Sequence, residues 1–346
     1  MSVLSKFEQS IHVLSDAEKV GKFSKPEELS NTMKLQVEAS GLSKKFRHRN
    51  NGSYAVSNLH LSIPSGQMFG LLGPDGAGKT TTLRMLASVM EPTEGTARVG
   101  SFDTRKEKRS ARHLIGYMPQ NFSLYPDLSV LENLIFFAAI NGVHGSRRNE
   151  RIRQMLGFTR LEEFTDRRAA NLSGGMKKKL ALACALLHEP EVLLLDEPST
   201  GVDPVSRREL WLILARVVET GVTVVVSTPY MDEAERCHQV GILYGGKILT
   251  TGSPNELQNS LPFEILEVNA KPRKLMRQIV SDSAYVLYWR TIGDRLRLAV
   301  KDPLISITLL EKSLKAAGAE IKVLRHAKRS MEDVFIHLVE EKQATH

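Results

Sequence analysis

Apolar positions follow three rhythms along this chain. Short unbroken runs, MFGLL (Met68–Leu72), VLLLD (Val192–Asp196) and VTVVVS (Val222–Ser227), read as buried strands, while LQVEA and LHLSI alternate like antiparallel strands with one wet face. Helical spacing follows in TTLRMLASVM (Thr81–Met90), in the stripe Leu180, Ala183, Cys184 and Leu187, and in SVLENLIFFAAI, where Ser129 and Glu132 form a capping-box pair. The stretch from about Asp103 to Asn171 reads as largely helical, with Phe136 and Phe137 as ordinary core. Residues 1–33 are polar, apart from one weak face carrying Leu4, Phe7, Ile11 and Leu14, which suits a short docking helix or a disordered leader equally.

The most informative turn follows the first buried strand. GPDGAGKTT (Gly73, Pro74, Asp75, Gly76, Ala77, Gly78, Lys79, Thr80, Thr81) fits the pattern of a P-loop, with a strand before it and a helix after it. Its glycines let the backbone turn tightly, so that amides and the start of a helix face one anionic group. Lys79 is placed to reach the outer phosphates of a nucleotide, and the Thr80 hydroxyl to ligate a magnesium ion. VLLLDEP ends in two carboxylates at a strand exit: Asp196 supports the metal, directly or through water, and Glu197 polarises the attacking water. LSGGM (Leu172–Met176) opens a helix, so Ser173, Gly174 and Gly175 bare amides at a positive dipole end without a lysine of their own.

In this combination and order the motifs resemble the nucleotide-binding subunit of an ATP-binding cassette (ABC) transporter. LSGGM resembles that family's signature, YMPQ (Tyr117–Gln120) its Q-loop and STGVD (Ser199–Asp203) its D-loop, and the likeness runs from about Leu35 to Leu257. The fold it implies is α/β: a P-loop NTPase cassette over residues 34–258, with a RecA-like core, an antiparallel β subdomain and a helical subdomain at about 103–171. It also implies ATP and Mg2+ as ligands, and a head-to-tail pair of cassettes in which the P-loop of one and the signature of the other enclose each ATP. Carried over, Lys79, Glu197 and Gln120 form the catalytic set. Thr80, Gln120 and Asp196 hold the metal, and Gln120 couples it to a membrane permease touched by YPDLSVLEN. Ser173 and Gly175 clasp the γ-phosphate of the opposite chain's ATP, with Gly174 between them and Asp203 closing the D-loop beside them. Adenine stacks on an aromatic residue upstream of the P-loop, for which Phe46 fits best and Tyr54 comes second, because the insertion RHRNNGS blurs the alignment.

Three positions depart from the family's usual residues. After VTVVVS the family places a histidine that contacts the γ-phosphate and the catalytic water, and this chain has Pro229, with neither an imidazole nor an N–H. Slow hydrolysis at the chain's own P-loop is the expectation. The partner cassette is then either an identical chain or one that carries the histidine and is completed by this LSGGM. Asp75, where asparagine is usual, adds negative charge beside the phosphates, and Met176 replaces a common glutamine.

Beyond about Leu261 the strands FEILEV, AYVLYW, LRLAV and EIKVL alternate with two helices in the order β-α-β-β-α-β, that of a small α+β ferredoxin-like domain over residues 261–346. A last helix follows, with Ser330 and Asp333 as its capping pair. This domain carries no catalytic constellation, which suits a regulatory or dimer-stabilising role. The resemblance of MEDVFIHL to the ending of cassettes from drug, lipid and natural-product exporters points to export.

Composition adds limits. A chain of 346 residues is long enough for two or three domains with their own cores. No apolar run approaches the roughly 18–20 residues that span a bilayer, so the permease is expected to be a separate polypeptide, with this chain at the cytoplasmic face of the cell membrane. Cys184 and Cys237 have no metal or redox spacing and read as structural thiols. The net charge of +8, including Lys177–Lys179, reads as solvated surface, and no aromatic-interleaved basic motif points to nucleic acid. One P-loop without heptads or repeats sets the chain apart from cassettes of translation or DNA maintenance.

Overall fold

The computed structural model describes residues 35–46, 54–121 and 124–344; the face of Leu4, Phe7, Ile11 and Leu14 and the RHRNNGS insertion lie outside them. The described chain opens with β1 (Leu35–Lys45) and β2 (Tyr54–Pro64), an antiparallel pair. Leu59, Leu61 and Ile63 of β2 are buried while His60 and Ser62 are exposed, as the alternation requires. The next strand, β3 (Met68–Leu72), is buried along its whole length. Helix α1 (Lys79–Leu86) is shorter than the pattern predicts: Ser88 takes a positive φ of 56°, and the amides of Val89 and Met90 both turn back to the Arg84 carbonyl. Strands β4 (Glu94–Val99) and β5 (Phe102–Asp103) complete a four-stranded sheet in the order β2-β1-β4-β5.

The stretch read as largely helical holds α2 (Lys108–His113), α3 (Val130–Ile140) and α4 (Gly145–Thr159), but also a strand, β6 (Ile115–Met118), too short for periodicity to reveal. The capping box of α3 is present, with Ser129 and Glu132 bonded reciprocally. Of the two residues read as core, Phe137 is half-buried against the main core cluster, while Phe136, also half-buried, packs edge-on against Phe137 and Tyr125, because α3 is apolar around more of its circumference than its core contact uses.

The remaining cassette elements alternate: α5 (Gly174–Leu186), β7 (Val192–Asp196), α6 (Pro204–Glu219), β8 (Thr223–Thr228), α7 (Met231–Ala234), β9 (Gln239–Tyr244), β10 (Lys247–Gly252) and α8 (Pro254–Asn259). The stripe Leu180, Ala183, Cys184 and Leu187 is buried as its spacing predicts. A six-stranded sheet runs in the order β10-β9-β3-β8-β7-β6, parallel throughout except for β10, which folds back on β9. With helices covering both faces, central strands must be apolar on both sides, which explains the unbroken runs. The exits of β3, β8 and β7 therefore lie side by side, and in an open parallel sheet ligands bind outside such carboxyl ends.

A second four-stranded sheet follows, built from β11 (Glu264–Lys271), α9 (Arg273–Ser281), β12 (Val286–Ile292), β13 (Arg295–Val300), α10 (Pro303–Ala316) and β14 (Glu320–Ala327). Its order is β12-β13-β11-β14, antiparallel at every pairing. The closing helix α11 (Met331–Ala344) returns to the cassette: Met331 and Val334 join the same buried cluster as Leu257, Ala234 and Cys237. Ser330 and Asp333 make the expected reciprocal contacts at its start.

Candidate active site

The P-loop is shaped by where β3 ends. Gly78 caps α1 at φ 110°, a conformation that L side chains rarely adopt, and a Cβ there would lie 2.6 Å from the Ala55 carbonyl oxygen. Asp75, Gly76, Gly78, Lys79, Thr80 and Thr81 line a cleft of about 270 Å³ with Phe46, Ala55, Gln120 and Glu197. Gly73, Pro74 and Ala77 serve the loop's own fold instead. The Gly73 amide donates to Thr228 O at 3.3 Å, and the Ala77 amide to Pro74 O at 3.2 Å, with the Ala77 side chain buried.

Charged groups converge at the cleft floor. Lys79 is 3% exposed, and its Nζ donates to Gly73 O at 2.8 Å and Pro74 O at 3.1 Å, 3.2 Å from Glu197 Oε1. Asp75, nearly all exposed, stands farther off at 3.9 Å. Thr80 Oγ1 donates to Asp196 Oδ1 at 3.1 Å, and Ser227 Oγ donates to the same oxygen at 2.7 Å. Asp196 Oδ2 is buried with no hydrogen-bond partner. A carboxylate oxygen stripped of water and left unpaired is costly, and a cation beside it removes that cost. Thr80, Asp196 and Gln120 offer oxygen donors, the set a magnesium ion takes alongside substrate phosphates, so these residues fit the metal.

Glu197 is held in a strained backbone conformation. Its φ is 49°, uncommon for a residue with a side chain, and its amide donates to Ser227 Oγ at 3.0 Å and to Ser227 O at 3.2 Å. Those bonds from β8 turn the side chain back toward Lys79. Gln120 Nε2 donates to Glu197 Oε2 at 2.9 Å, so five residues expected in the site, Lys79, Thr80, Gln120, Asp196 and Glu197, do come together.

Lys178 was missed by the sequence reading, and the lysine run is not a solvated face. Lys178 is 4% exposed, and its Nζ donates to Gln120 O at 3.3 Å and to Glu197 O at 3.4 Å, tying the backbones of both site segments to α5. Burial lowers its pKa, against the pull of Glu197 and Asp196 upward. Lys179 is also buried and pairs with Glu209. The available signal was spacing, since Gly175, Lys178 and Leu182 share one helical face.

The LSGGM residues do not line this cleft. Ser173 caps α5 by accepting the Met176 amide at 3.2 Å, and Gly175 packs so closely on α6 that a Cβ would sit 2.4 Å from Ser206 Cβ and Oγ. Asp203 caps α6, accepting from Ser206 N at 2.9 Å and Val205 N at 3.1 Å, and these bonds, Ser206's first, hold its carboxyl below the ordinary range. Of the two aromatic candidates, Phe46 lines the cleft, while the Tyr54 hydroxyl is engaged with Glu94 Oε1 at 2.7 Å. Both thiols are buried; burial raises Cys184 and, with Glu233 nearby, pushes Cys237 up to about 12.

Residues 56–200 match the protein family described as ABC transporter. Along 285 residues the chain is 36% identical to the Nod factor export ATP-binding protein I of Cupriavidus metallidurans, covering 82% of this chain and 91% of that protein. The chain belongs to the ATP-binding proteins of ABC transporters. This cassette is also 33% identical, over 307 residues, to the daunorubicin/doxorubicin resistance ATP-binding protein DrrA of Streptomyces peucetius, covering 87% of this chain and 92% of that one. The probable multidrug ABC transporter ATP-binding protein YbhF of Escherichia coli is 44% identical over 223 residues, but the match covers 64% of this cassette and only 38% of that longer protein. Among solved structures, the dimeric post-hydrolysis state of an ATP-binding cassette bound to ADP and Pi is 27% identical, with a TM-score of 0.58 over 63% of this chain and 98% of that one.

Proposed function

We propose that this chain is the ATP-hydrolysing subunit of an ABC exporter, pairing with a second cassette on Mg-ATP and driving a separate membrane permease from the cytoplasmic side. The convergence of Lys79, Thr80, Gln120, Asp196 and Glu197 at the exits of β3 and β7 carries the reading. Phosphate oxygens take the place of the Gly73 and Pro74 carbonyls as partners of the Lys79 ammonium. Thr80, Asp196 and Gln120 would hold magnesium, which would supply charge neutralisation at the outer phosphates. Glu197, fixed by the Ser227 bonds and the Gln120 amide, orients water in line with the γ-phosphorus, and the products are ADP and phosphate.

The pairing follows from Ser173, Gly174 and Gly175, whose amides stand at a helix start outside the chain's own cleft; a site on a second cassette gives them an anion to bind. That second cassette is an identical chain or one that carries the histidine missing at Pro229. Similarity to a Nod factor export protein, and to a drug-resistance protein beside it, favours export over import. Among the described residues no helix is long and apolar enough to cross a membrane, so transport by this chain needs a membrane partner. A groove of about 250 Å³ lined by Val89, Tyr117, Phe137 and Ile140, with Arg112 and His188 among its polar residues, lies beside β6, the strand that leads to Gln120, and suits a largely apolar element of the permease. The C-terminal unit is read as ferredoxin-like on its β-α-β-β-α-β order and its antiparallel sheet.

Two measurements test this. Purified full-length chain should turn over ATP, and EDTA should abolish the turnover. Affinity purification from gently solubilised cells, read by mass spectrometry, should recover a multi-span membrane protein; ribosomal or DNA-associated partners alone would overturn the transport reading.

A further inference from the structure

Glu233 lies outside the nucleotide cleft, yet it is completely buried and receives donors from three separate segments. Ser199 Oγ and Thr228 Oγ1 each approach its carboxylate to 2.5 Å, and Arg207 Nε to 2.7 Å. Ser199 begins the STGVD turn two residues after Glu197. Thr228 ends β8, precedes Pro229, and accepts the Gly73 amide through its carbonyl. Arg207 also grips Asp232 and stacks 4.5 Å from the Tyr230 ring, so the segment after Pro229 is clamped to the start of α6. A buried carboxylate whose every donor is supplied holds its neighbours in one arrangement, because losing any donor leaves charge unpaired.

Two residues on, about 200° around a helix, Glu235 is exposed and faces the C-terminal domain. Its Oε1 accepts the Met331 amide, the first of α11, at 3.2 Å, and Gln258 Nε2 at 3.1 Å. The short helix α7 is therefore bonded to the D-loop and the end of β8 through Glu233, and to the accessory domain through its C-cap residue Glu235.

We propose that Glu233 is a positioning residue for ATP hydrolysis, fixing the STGVD turn against the end of β8, and that the C-terminal domain acts on this geometry through Glu235 and α7. Its catalytic consequence rests on the hydrolytic reading above; the mechanical linkage does not. The C-terminal domain is then a regulator of turnover, and a partner that shifts α11 would change the rate without touching the cleft.

The test uses the full chain with Ser199→Ala, Glu235→Ala and Glu235→Gln, read by hydrogen exchange and by ATP kinetics. Glu235→Ala should speed amide exchange across residues 199–203 and 228–234 and lower kcat roughly threefold to tenfold, with KM for ATP within about twofold. Glu235→Gln, whose amide oxygen can still accept from Met331, should restore both. Ser199→Ala, which removes one hydroxyl from the knot, should give the same split between kcat and KM. Unchanged exchange at 199–203 in Glu235→Ala, or equal losses in kcat and affinity accompanied by a lower Tm, would overturn the proposal. A wild-type chain that binds ATP without turning it over would sink the hydrolytic reading alone, since the exchange data still decide the linkage.

Discussion

Gln120 Nε2 donates to Glu197 Oε2 at 2.9 Å, joining the loop after β6 to the exit of β7. The donor's backbone carbonyl is in turn held by Lys178, which also reaches the Glu197 carbonyl. A displacement of the Q-loop is therefore a displacement at the carboxylate that would activate water. Each residue of the pair tests the other.

Replacing Glu197 with Gln removes the anion beside Lys79 and keeps an oxygen for Gln120. Turnover should fall by roughly 10²–10⁴-fold while ATP affinity changes by no more than a few-fold. Steady-state phosphate release and equilibrium binding of a fluorescent nucleotide measure the two separately.

Pro229 offers no N–H and no imidazole where the resemblance places a histidine. One preorganised donor to transition-state charge is typically worth about 2.7–4 kcal/mol, or roughly a hundredfold to a thousandfold in rate. Pro229→His should raise kcat in that direction in a homodimer. An unchanged rate would show that this position does not limit turnover.

Phe46 and Tyr54 make opposite predictions. Phe46 faces the cleft, so Phe46→Ala should weaken ATP binding by about 1–3 kcal/mol, the usual worth of a base stacked on an aromatic ring. Tyr54 is committed to Glu94, and Tyr54→Ala should leave affinity within about twofold. Titration of both variants with the same nucleotide decides between them.

The second four-stranded sheet and the start of α11 enclose a buried ion cluster, in which Asp333 accepts from Arg290, Arg297 and Ser330. Burial pushes the Asp333 pKa up, but the Arg297 guanidinium and the Ser330 amide and hydroxyl outweigh it and hold the carboxyl below its ordinary 3.8. A lowered folded pKa contributes stability that is complete above the unfolded value and is lost as pH falls through the folded one. Asp333→Asn should therefore cost up to roughly 3–5 kcal/mol near neutrality, by leaving the buried Arg297 and the half-buried Arg290 with only Glu267 and Glu332 as anions. That difference should shrink as pH falls below 3.8 and through the lowered folded pKa. Urea denaturation of both proteins across this range would show it; a difference independent of pH would mean that packing, and not charge, holds the cluster.

Much of this protein was legible in the chain because its signals are local. The P-loop, the LSGGM cap, the Ser129–Glu132 box and the buried runs each lie within one short window, where turn chemistry and periodicity fix conformation. What the tertiary structure decided depends on partners far along the chain. β8 lies between β3 and β7, so its Ser227 orients both Asp196 and Glu197, which no local pattern encodes. Lys178 looks like one of three surface lysines until the Q-loop and the exit of β7 are folded over it. Glu233 looks like an ordinary acid of a short helix until Ser199, Thr228 and Arg207 arrive from three directions. Periodicity reports which face of an element avoids water; it cannot report that a charge will be buried where donors from distant segments compensate it, and at this site those compensated charges set the geometry.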